Sequence, residues 1–192
     1  EIGVRLVGSE MCISDRSYIA LLQQHGLTKN DSKNDVEDAV NTIIWYAGIV
    51  DKWEQLTGNL NPVAGDYFNI SHQEPIGVTF SLSSDDKSLN SLVKSFLPAM
   101  SVGCSVISFT NQNAVLALKL SEDINNSDFP SGSLNILTGN FENIVEDVGA
   151  HVEIRLAAIY SNISNDLLET LDVKGSDSVK RIVNLPSDEA VS

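Results

Sequence analysis

The stretch EPIGVTFSLSSDDKSLNSLVKSFLPAMSVGCSVISFT, residues 74–110, decides the fold of this chain. Its apolar residues follow a strand-like order over 77–82, recur at helical spacing over 88–102 and return to a strand pattern over 105–109. A strand, an amphipathic helix and a second strand joined by short turns predict a right-handed βαβ unit with parallel strands.

The same alternation continues to the end of the chain. Further helices are predicted over 114–124, 141–148 and 165–173, and further strands over 134–137, 155–160 and 179–185. The pattern indicates an α/β fold with one Rossmann-like parallel sheet covered by helices on both faces. Ligands of such sheets bind beyond the carboxyl ends of the strands, which here are residues 83–86, 110–112, 138–140 and 161–164.

Two helices and a turn-rich arm are predicted before this unit. The first helix covers about 14–24, and the second begins after an N-cap at Asp35 and runs to about Leu56. Its aromatic residues are expected to pack in the core; they are Trp45, Tyr46 and Trp53. Glycine and proline around a short alternating pattern predict an extended β-hairpin arm over 57–73, and residues 186–192 are expected to fray.

The charge of the chain excludes several partners. A formal net charge of −14, with no local Lys/Arg cluster, repels nucleic acid and anionic membrane surfaces.

The sequence lacks a bilayer-length apolar run and a secretory signal, so a cytoplasmic location is expected. Because the chain starts with Glu1 rather than Met, we expect it to be a piece of a longer one.

Neither the cysteines nor the histidines suggest a metal or nucleophile site. Cys12 and Cys104 lack partners at metal-ligand or redox spacing and are predicted to be free buried thiols. The three histidines fall in different loops without shared spacing, which predicts surface residues and no metal; they are His25, His72 and His151.

Five segments, in matching order, resemble the cofactor-binding domain of the aldehyde dehydrogenase superfamily. They are WYAG at 45–48, GNLNPVAGDYFN at 58–69, EPIGV at 74–78, LPAMSVGCSVI at 97–107 and FPSGSLNILTG at 129–139. The resemblance implies an aldehyde-dehydrogenase-like NAD(P)-binding domain over 1–192, an incomplete fold without the catalytic domain, in which 57–73 corresponds to part of an oligomerisation arm. Within the superfamily the chain most resembles the second, non-catalytic unit of the two-unit family 16 proteins.

The resemblance also implies cofactor-facing positions at the strand ends. Carried over to this chain, they are Ser83, Asp86, Gln112, Gly139 and Asn162. Of these, Gly139 keeps the family residue, whereas Gln112 replaces a ribose-binding Glu, and Asp86 replaces the Asn that stabilises the oxyanion. A carboxylate at that position would repel the developing negative charge.

Other family residues are replaced or absent. Phe109 stands in place of the ribose-binding Lys, Ser161 in place of the Gly at the pyrophosphate, and Leu185 in place of the Glu that acts as base. The nucleophilic Cys belongs beyond Ser192, so the covered chain contains no catalytic residue of the family. The polar run 84–86 is predicted instead to favour the N-terminus of the following helix by capping.

Three hypotheses follow. The first is a degenerate aldehyde-dehydrogenase-like domain without catalytic activity that serves assembly or protein interaction, either by self-association or with a protein partner. No cofactor is expected for such a domain, and if any binding is retained the cofactor is NAD(P). The second is a fragment of an active NAD(P)-dependent aldehyde dehydrogenase. The third is an unrelated α/β domain that binds a small molecule.

Overall fold

Five parallel strands form a single sheet in the computed structural model, which describes residues 11–57, 61–71 and 73–185. The strands are β1 Val78–Leu82, β2 Ser105–Thr110, β3 Leu134–Thr138, β4 Ile154–Ile159 and β5 Arg181–Asn184, arranged in the order β3-β2-β1-β4-β5. The described helices are α1 Met11–Gln24, α2 Lys29–Val50, α3 Trp53–Leu56, α4 Leu89–Ser101, α5 Ala114–Asn125, α6 Val145–Ala150 and α7 Asn165–Ser176, with a 3-10 turn at Phe141–Asn143. The predicted α/β architecture is confirmed.

Each face of the sheet carries its own hydrophobic core. On the first, called here the α4 face, Leu92 and Phe96 of α4 pack with Val106 of β2 and with residues of α1, α2 and α5. On the second, the α7 face, Phe80 of β1 packs with residues of β4, α6 and α7, among them Leu171. The amphipathic stripe read from 88–102 therefore covers β1 and β2, as the βαβ pattern predicts.

The strand order reverses at β1. Successive connections lead from β1 to β2 and β3 on one side, whereas β4 returns to pair with the other side of β1, where Leu82 lies opposite Ile159. Connections that leave in opposite directions open a crevice at the carboxyl ends of the two strands. This topological switch point, between the ends of β1 and β4, is where a ligand of the sheet would sit.

The predicted N-cap at Asp35 is wrong, because α2 begins six residues earlier. Thr28 caps that helix by accepting a hydrogen bond from the Asp31 N–H at 3.2 Å. Asp35 lies inside α2 and instead caps α4: its carboxylate accepts hydrogen bonds from the Ser88 hydroxyl and, at 2.7 Å, from the Leu89 N–H. A carboxylate at these otherwise unpaired N–H groups is also attracted by the positive end of the helix dipole.

Other predicted boundaries and packing positions change. The second helix ends at Val50, and the short α3 follows it. Trp45 is 58% exposed rather than buried, because it projects from the outer side of α2. β5 starts at Arg181 rather than Val179, whose φ of 52° is incompatible with an extended strand.

Of the predicted hairpin arm 57–73, the structure describes residues 57, 61–71 and 73. The Asn61 N–H donates to the Asn69 carbonyl at 2.9 Å and the Asn61 side chain to the Ser71 hydroxyl at 2.8 Å, so the chain turns back on itself. Within this described stretch no strand forms beyond one bridge residue, Ile70. Residues 58–60, 72 and the predicted tail 186–192 lie outside the described part. Among the described helices, none is long and apolar enough to cross a bilayer.

Asp35→Ala should lower the free energy of unfolding by about 1–2 kcal/mol, since it leaves the first turn of α4 without its carboxylate acceptor. Urea unfolding of the two proteins measures the difference. Asp38→Ala is the matched control, because Asp38 is an exposed residue of the same helix and the change in helix propensity is the same. Equal destabilisation by the two substitutions would contradict the capping role.

Tyr160 should make the protein lose stability at alkaline pH. Burial, together with the nearby Tyr46 side chain, raises its pKa to about 12. A tyrosine of the unfolded chain ionises near pH 10, so between about pH 10 and 12 only the unfolded state releases this proton, and rising pH favours unfolding. The free energy of unfolding, measured with urea across that pH range, should fall less steeply with rising pH for Tyr160→Phe than for the parent. Tyr67→Phe, at a 79% exposed position, should leave the slope unchanged.

Candidate functional site

The candidate site lies at the carboxyl edge of the sheet. The strand-end segments 83–88, 111–113, 139–140 and 160–164 meet there because parallel strands all end at the same edge. Backbone bonds hold the edge together: the Ser83 N–H donates to the Phe109 carbonyl at 2.8 Å and the Tyr160 N–H to the Leu82 carbonyl at 2.9 Å. The geometry of the site is therefore fixed by the sheet itself.

A hydrogen bond between two side chains crosses the switch point. The Ser161 hydroxyl, after β4, donates to Oδ2 of Asp85, after β1, over 2.5 Å. A hydroxyl bound to a carboxylate at this distance is in the range of charge-assisted hydrogen bonds. Ser161 is 1% exposed, so its side chain is committed to this contact. The crevice that the topology opens is spanned by side chains of the chain itself.

The same carboxylate is linked to the other strand ends. Asn111, after β2, donates to Oδ1 of Asp85 at 3.4 Å, a longer and weaker contact. The other side of the Asn111 amide accepts a hydrogen bond from the Phe141 N–H, after β3, at 3.0 Å. We call Asp85, Asn111, Ser161 and the Phe141 N–H the Asp85 network. It connects the ends of β4, β1, β2 and β3.

The loop between β1 and α4 folds onto itself next to this network. The Ser84 hydroxyl donates to Asp86 Oδ2 at 2.7 Å and accepts from the Asp86 N–H at 3.2 Å, and the Asn113 amide donates to the Asp86 carbonyl. The predicted cap of α4 by residues 84–86 is wrong. Ser88 is the cap, since it accepts from the Ser91 N–H at 3.1 Å, and helix α4 starts only at Leu89.

An aromatic cluster occupies the α7 face below this edge. Phe109 is 4% exposed, and its ring centroid lies 6.1 Å from that of Phe80 and 6.4 Å from that of Phe141. A Cβ at Gly139 would lie 3.2 Å from the Phe109 ring, so a larger residue there would require the ring to shift by a few tenths of an ångström. Gly139 thus has a packing role that is independent of any cofactor.

The sheet brings the five predicted cofactor positions to one edge, with unequal access. Asp86, Gln112, Gly139 and Asn162 are exposed. Ser83 is fully buried, and its hydroxyl has no hydrogen-bond partner among the described residues. A ligand in the crevice would meet the Asp86 side chain before it met Ser83.

Sequence reasoning placed Asp85 in the polar run 84–86 and Ser161 at a replaced pyrophosphate position, and it missed that they contact each other. Residues 76 apart in the chain meet here because β4 pairs with β1, and the strand order is not written in the local pattern. The available signal was that both residues follow a predicted strand within three positions of its end.

Metal or nucleophile chemistry finds no support in the described residues. No group of three or more His, Cys, Asp or Glu in that part of the chain could hold a metal ion. His25 is half-buried, His151 is exposed and His72 lies outside the described residues. Cys104 is a free buried thiol before β2, at the opposite edge of the sheet, and nothing is described of the Cys12 side chain.

Gly139→Ala should lower the free energy of unfolding by about 1–3 kcal/mol, because the added Cβ overpacks the Phe109 ring. Adding Phe109→Leu should recover part of this loss, because the smaller side chain removes the clash, and a double-mutant cycle measures the coupling between the two positions. The control is Gly48→Ala in helix α2, where nothing lies within 4 Å of the added Cβ and the change should be neutral or stabilising. Thermal and urea unfolding give the change in stability of the two single variants, the double variant and the control. If the effects of Gly139→Ala and Phe109→Leu simply add, the contact between the two positions is contradicted.

Comparison with known proteins adds a family assignment. The model of the aldehyde dehydrogenase family matches residues 14–163. Retinal dehydrogenase 2 of Taeniopygia guttata is 30% identical over 150 residues, which are 77% of this chain and 28% of that protein. Aldehyde dehydrogenase 1A1 of Homo sapiens is 27% identical over 173 residues, 88% of this chain and 34% of that protein.

A solved structure agrees in fold. The NAD-dependent aldehyde dehydrogenase from Sinorhizobium meliloti superposes with a TM-score of 0.81 at 16% identity, over 95% of this chain and 36% of that one. The chain therefore spans about a third of the length of the relatives it matches. Since the family model covers most of the chain, the chain belongs to the aldehyde dehydrogenase family.

Proposed function

We propose that this chain is a degenerate aldehyde-dehydrogenase-like domain that neither binds NAD(P) productively nor oxidises aldehydes, and that serves assembly or protein interaction. The observation that carries the proposal is the hydrogen bond between Ser161 and Asp85 across the switch point. The finer correspondence to the second, non-catalytic unit of a family 16 protein belongs to the same proposal.

A dinucleotide would have to break this contact to enter the crevice. A hydrogen bond to a charged group contributes about 1.5–3 kcal/mol, which would be lost unless the pyrophosphate replaced it. A phosphate cannot replace it at Asp85, because both groups are anionic. At a separation near 4 Å their repulsion is roughly 4 kcal/mol in the partly screened environment of a protein surface.

Two further features of the edge oppose the cofactor. Asp166 lies in the first turn of α7, where a helix N-terminus would otherwise favour a phosphate. Phe109 offers an apolar ring rather than a donor to a ribose, and the ring is already packed against Phe80 and Phe141. Micromolar binding corresponds to about 8 kcal/mol, so the combined losses are enough to remove it. The residues present do not fit the cofactor.

The proposed role in assembly rests on exposed apolar side chains in the arm. Tyr67 and Phe68 are each 79% exposed and Ile70 is 59% exposed, within a segment that the described structure leaves apart from both cores. Clustered exposed aromatics of this kind mark contact surfaces. A second copy of the chain or a protein partner would bury them.

A second candidate function is that of a fragment of an active NAD(P)-dependent aldehyde dehydrogenase. The observation in its favour is coverage: the chain matches only about a third of its relatives, so a catalytic portion could be supplied elsewhere. The two candidates differ in whether the cofactor binds at this crevice.

Calorimetric titration of NAD into the protein separates them. We expect no saturable heat up to about 1 mM NAD, and no NADH from an aldehyde mixture. The triple variant Asp85→Ala, Asp86→Asn, Ser161→Gly removes both carboxylates and the bridging hydroxyl, and it should bind NAD at least about tenfold more tightly than the parent.

The double variant Glu169→Gln, Asp172→Ala is the charge-matched control, since both are exposed residues of α7 outside the Asp85 network, and it should not gain binding. Thermal unfolding confirms that each variant is folded. Saturable binding by the parent below about 100 µM would reject the degenerate-domain proposal in favour of the fragment.

A further inference from the structure

A cavity of about 340 Å³ lies at the amino edge of the sheet, opposite the candidate cofactor crevice. It is bounded by the short helix α3, the end of α4, the segment before β1 and the α4 face of β4 and β5. Its apolar lining includes Trp53, Ile76, Val102, Leu156 and Val183. The volume is at the small end of the range for ligand sites, enough for a molecule of about a dozen heavy atoms.

The cavity exists because the described helices leave one part of the sheet uncovered. Helix α4 packs over β1 and β2, whereas β4 and β5 extend beyond it on the same face. Leu156 pairs with Arg181, and Val183 follows Arg181 by two positions, so these three side chains share the α4 face. Val183 is 39% exposed there, an apolar floor open to a small molecule.

Two opposite charges border this apolar floor. Arg181 and Glu74 both line the cavity. Both are exposed, and neither forms an ion pair with any residue in the described ranges. Arg181 is noteworthy in a chain with only 12 Lys and Arg residues against 26 Asp and Glu, because most of the surface would repel an anion and this position would attract one.

We propose that this cavity binds a free α-amino acid with a large apolar side chain. The carboxylate of the ligand pairs with Arg181, its ammonium group pairs with Glu74, and its side chain lies between Trp53 and the floor formed by Leu156 and Val183. The Arg–carboxylate contact supplies a charge-assisted hydrogen bond, and the apolar walls supply contact area.

The two charges select this class over simpler ligands. An apolar acid without an amine would pair with Arg181 but leave Glu74 unpaired and close to another anion. An apolar amine would pair with Glu74 but leave Arg181 unpaired and close to another cation. A nucleotide would bring two or more negative charges toward Glu74 and exceed the volume. A zwitterion with an apolar side chain satisfies both charges and the walls.

The protein offers a built-in reporter for this site. It has two tryptophans, of which Trp45 is 58% exposed on α2 and Trp53 lines the cavity. In the full chain with Trp45→Phe, the remaining fluorescence comes from Trp53 alone. Titration with L-phenylalanine, L-leucine and L-methionine should give a saturable change with a dissociation constant below about 1 mM for at least one of them.

Matched ligands test the role of each charge. 3-Phenylpropanoate lacks the ammonium group and phenethylamine lacks the carboxylate, and each should bind at least about tenfold more weakly than L-phenylalanine. Glycine keeps both charges without the side chain and should give no saturation. Equal affinity of either single-charge analogue and L-phenylalanine would overturn the proposal.

Matched variants test the residues. Arg181→Gln and Glu74→Gln should each weaken the best amino acid by at least about tenfold, and Ala99→Phe, which fills the cavity from α4, should abolish its binding. Arg16→Gln and Glu169→Gln change exposed charges outside the cavity and should have no effect. No saturation by any of the three amino acids up to roughly 10 mM, or unchanged affinity in Arg181→Gln, would reject the site. NAD is absent throughout, so the outcome is independent of the proposed function.

Discussion

The pairing of β4 with β1 is the contact on which the rest of the structure depends. It makes β1 the central strand, with a neighbour on each side, and it places the end of the fourth strand beside the end of the first. Without it the chain would contain a βαβαβ half-sheet and no crevice. Because of it, Asp85 and Ser161 are brought within hydrogen-bond distance, and these two polar side chains bind each other across the crevice.

Under the proposed function, the carboxyl edge is a binding crevice that has been lost while the fold is kept. The strands and the helix stripes form the expected fold, and Gly139 lies against the Phe109 ring. The interior of the fold and the chemistry of its edge obey different constraints: packing fixes the first, and the second depends on a few side chains in strand-end loops. A family can be identified from the interior when the edge has changed.

The predictable part of the structure came from periodicity. Strands β1 and β2 and helix α4 follow from the apolar pattern within residues 74–110, and the alternation after them predicts a parallel sheet. Asp35 was misread because a polar run that resembles a loop forms the exposed first turns of a helix, so the true cap lies at Thr28. The Asp85 network could not be predicted, since it joins residues far apart in the chain whose meeting depends on the strand order.

The double cap on α4 ties the two halves of the chain together. One half of that cap, Ser88, is local, but the other, Asp35, is 53 positions away in the sequence. The Leu89 N–H in the first turn of α4 thus gains its acceptor only when α2 lies across it. An excised βαβ unit starting near residue 74 would therefore lack both the apolar cover of α2 and the carboxylate that caps its own helix.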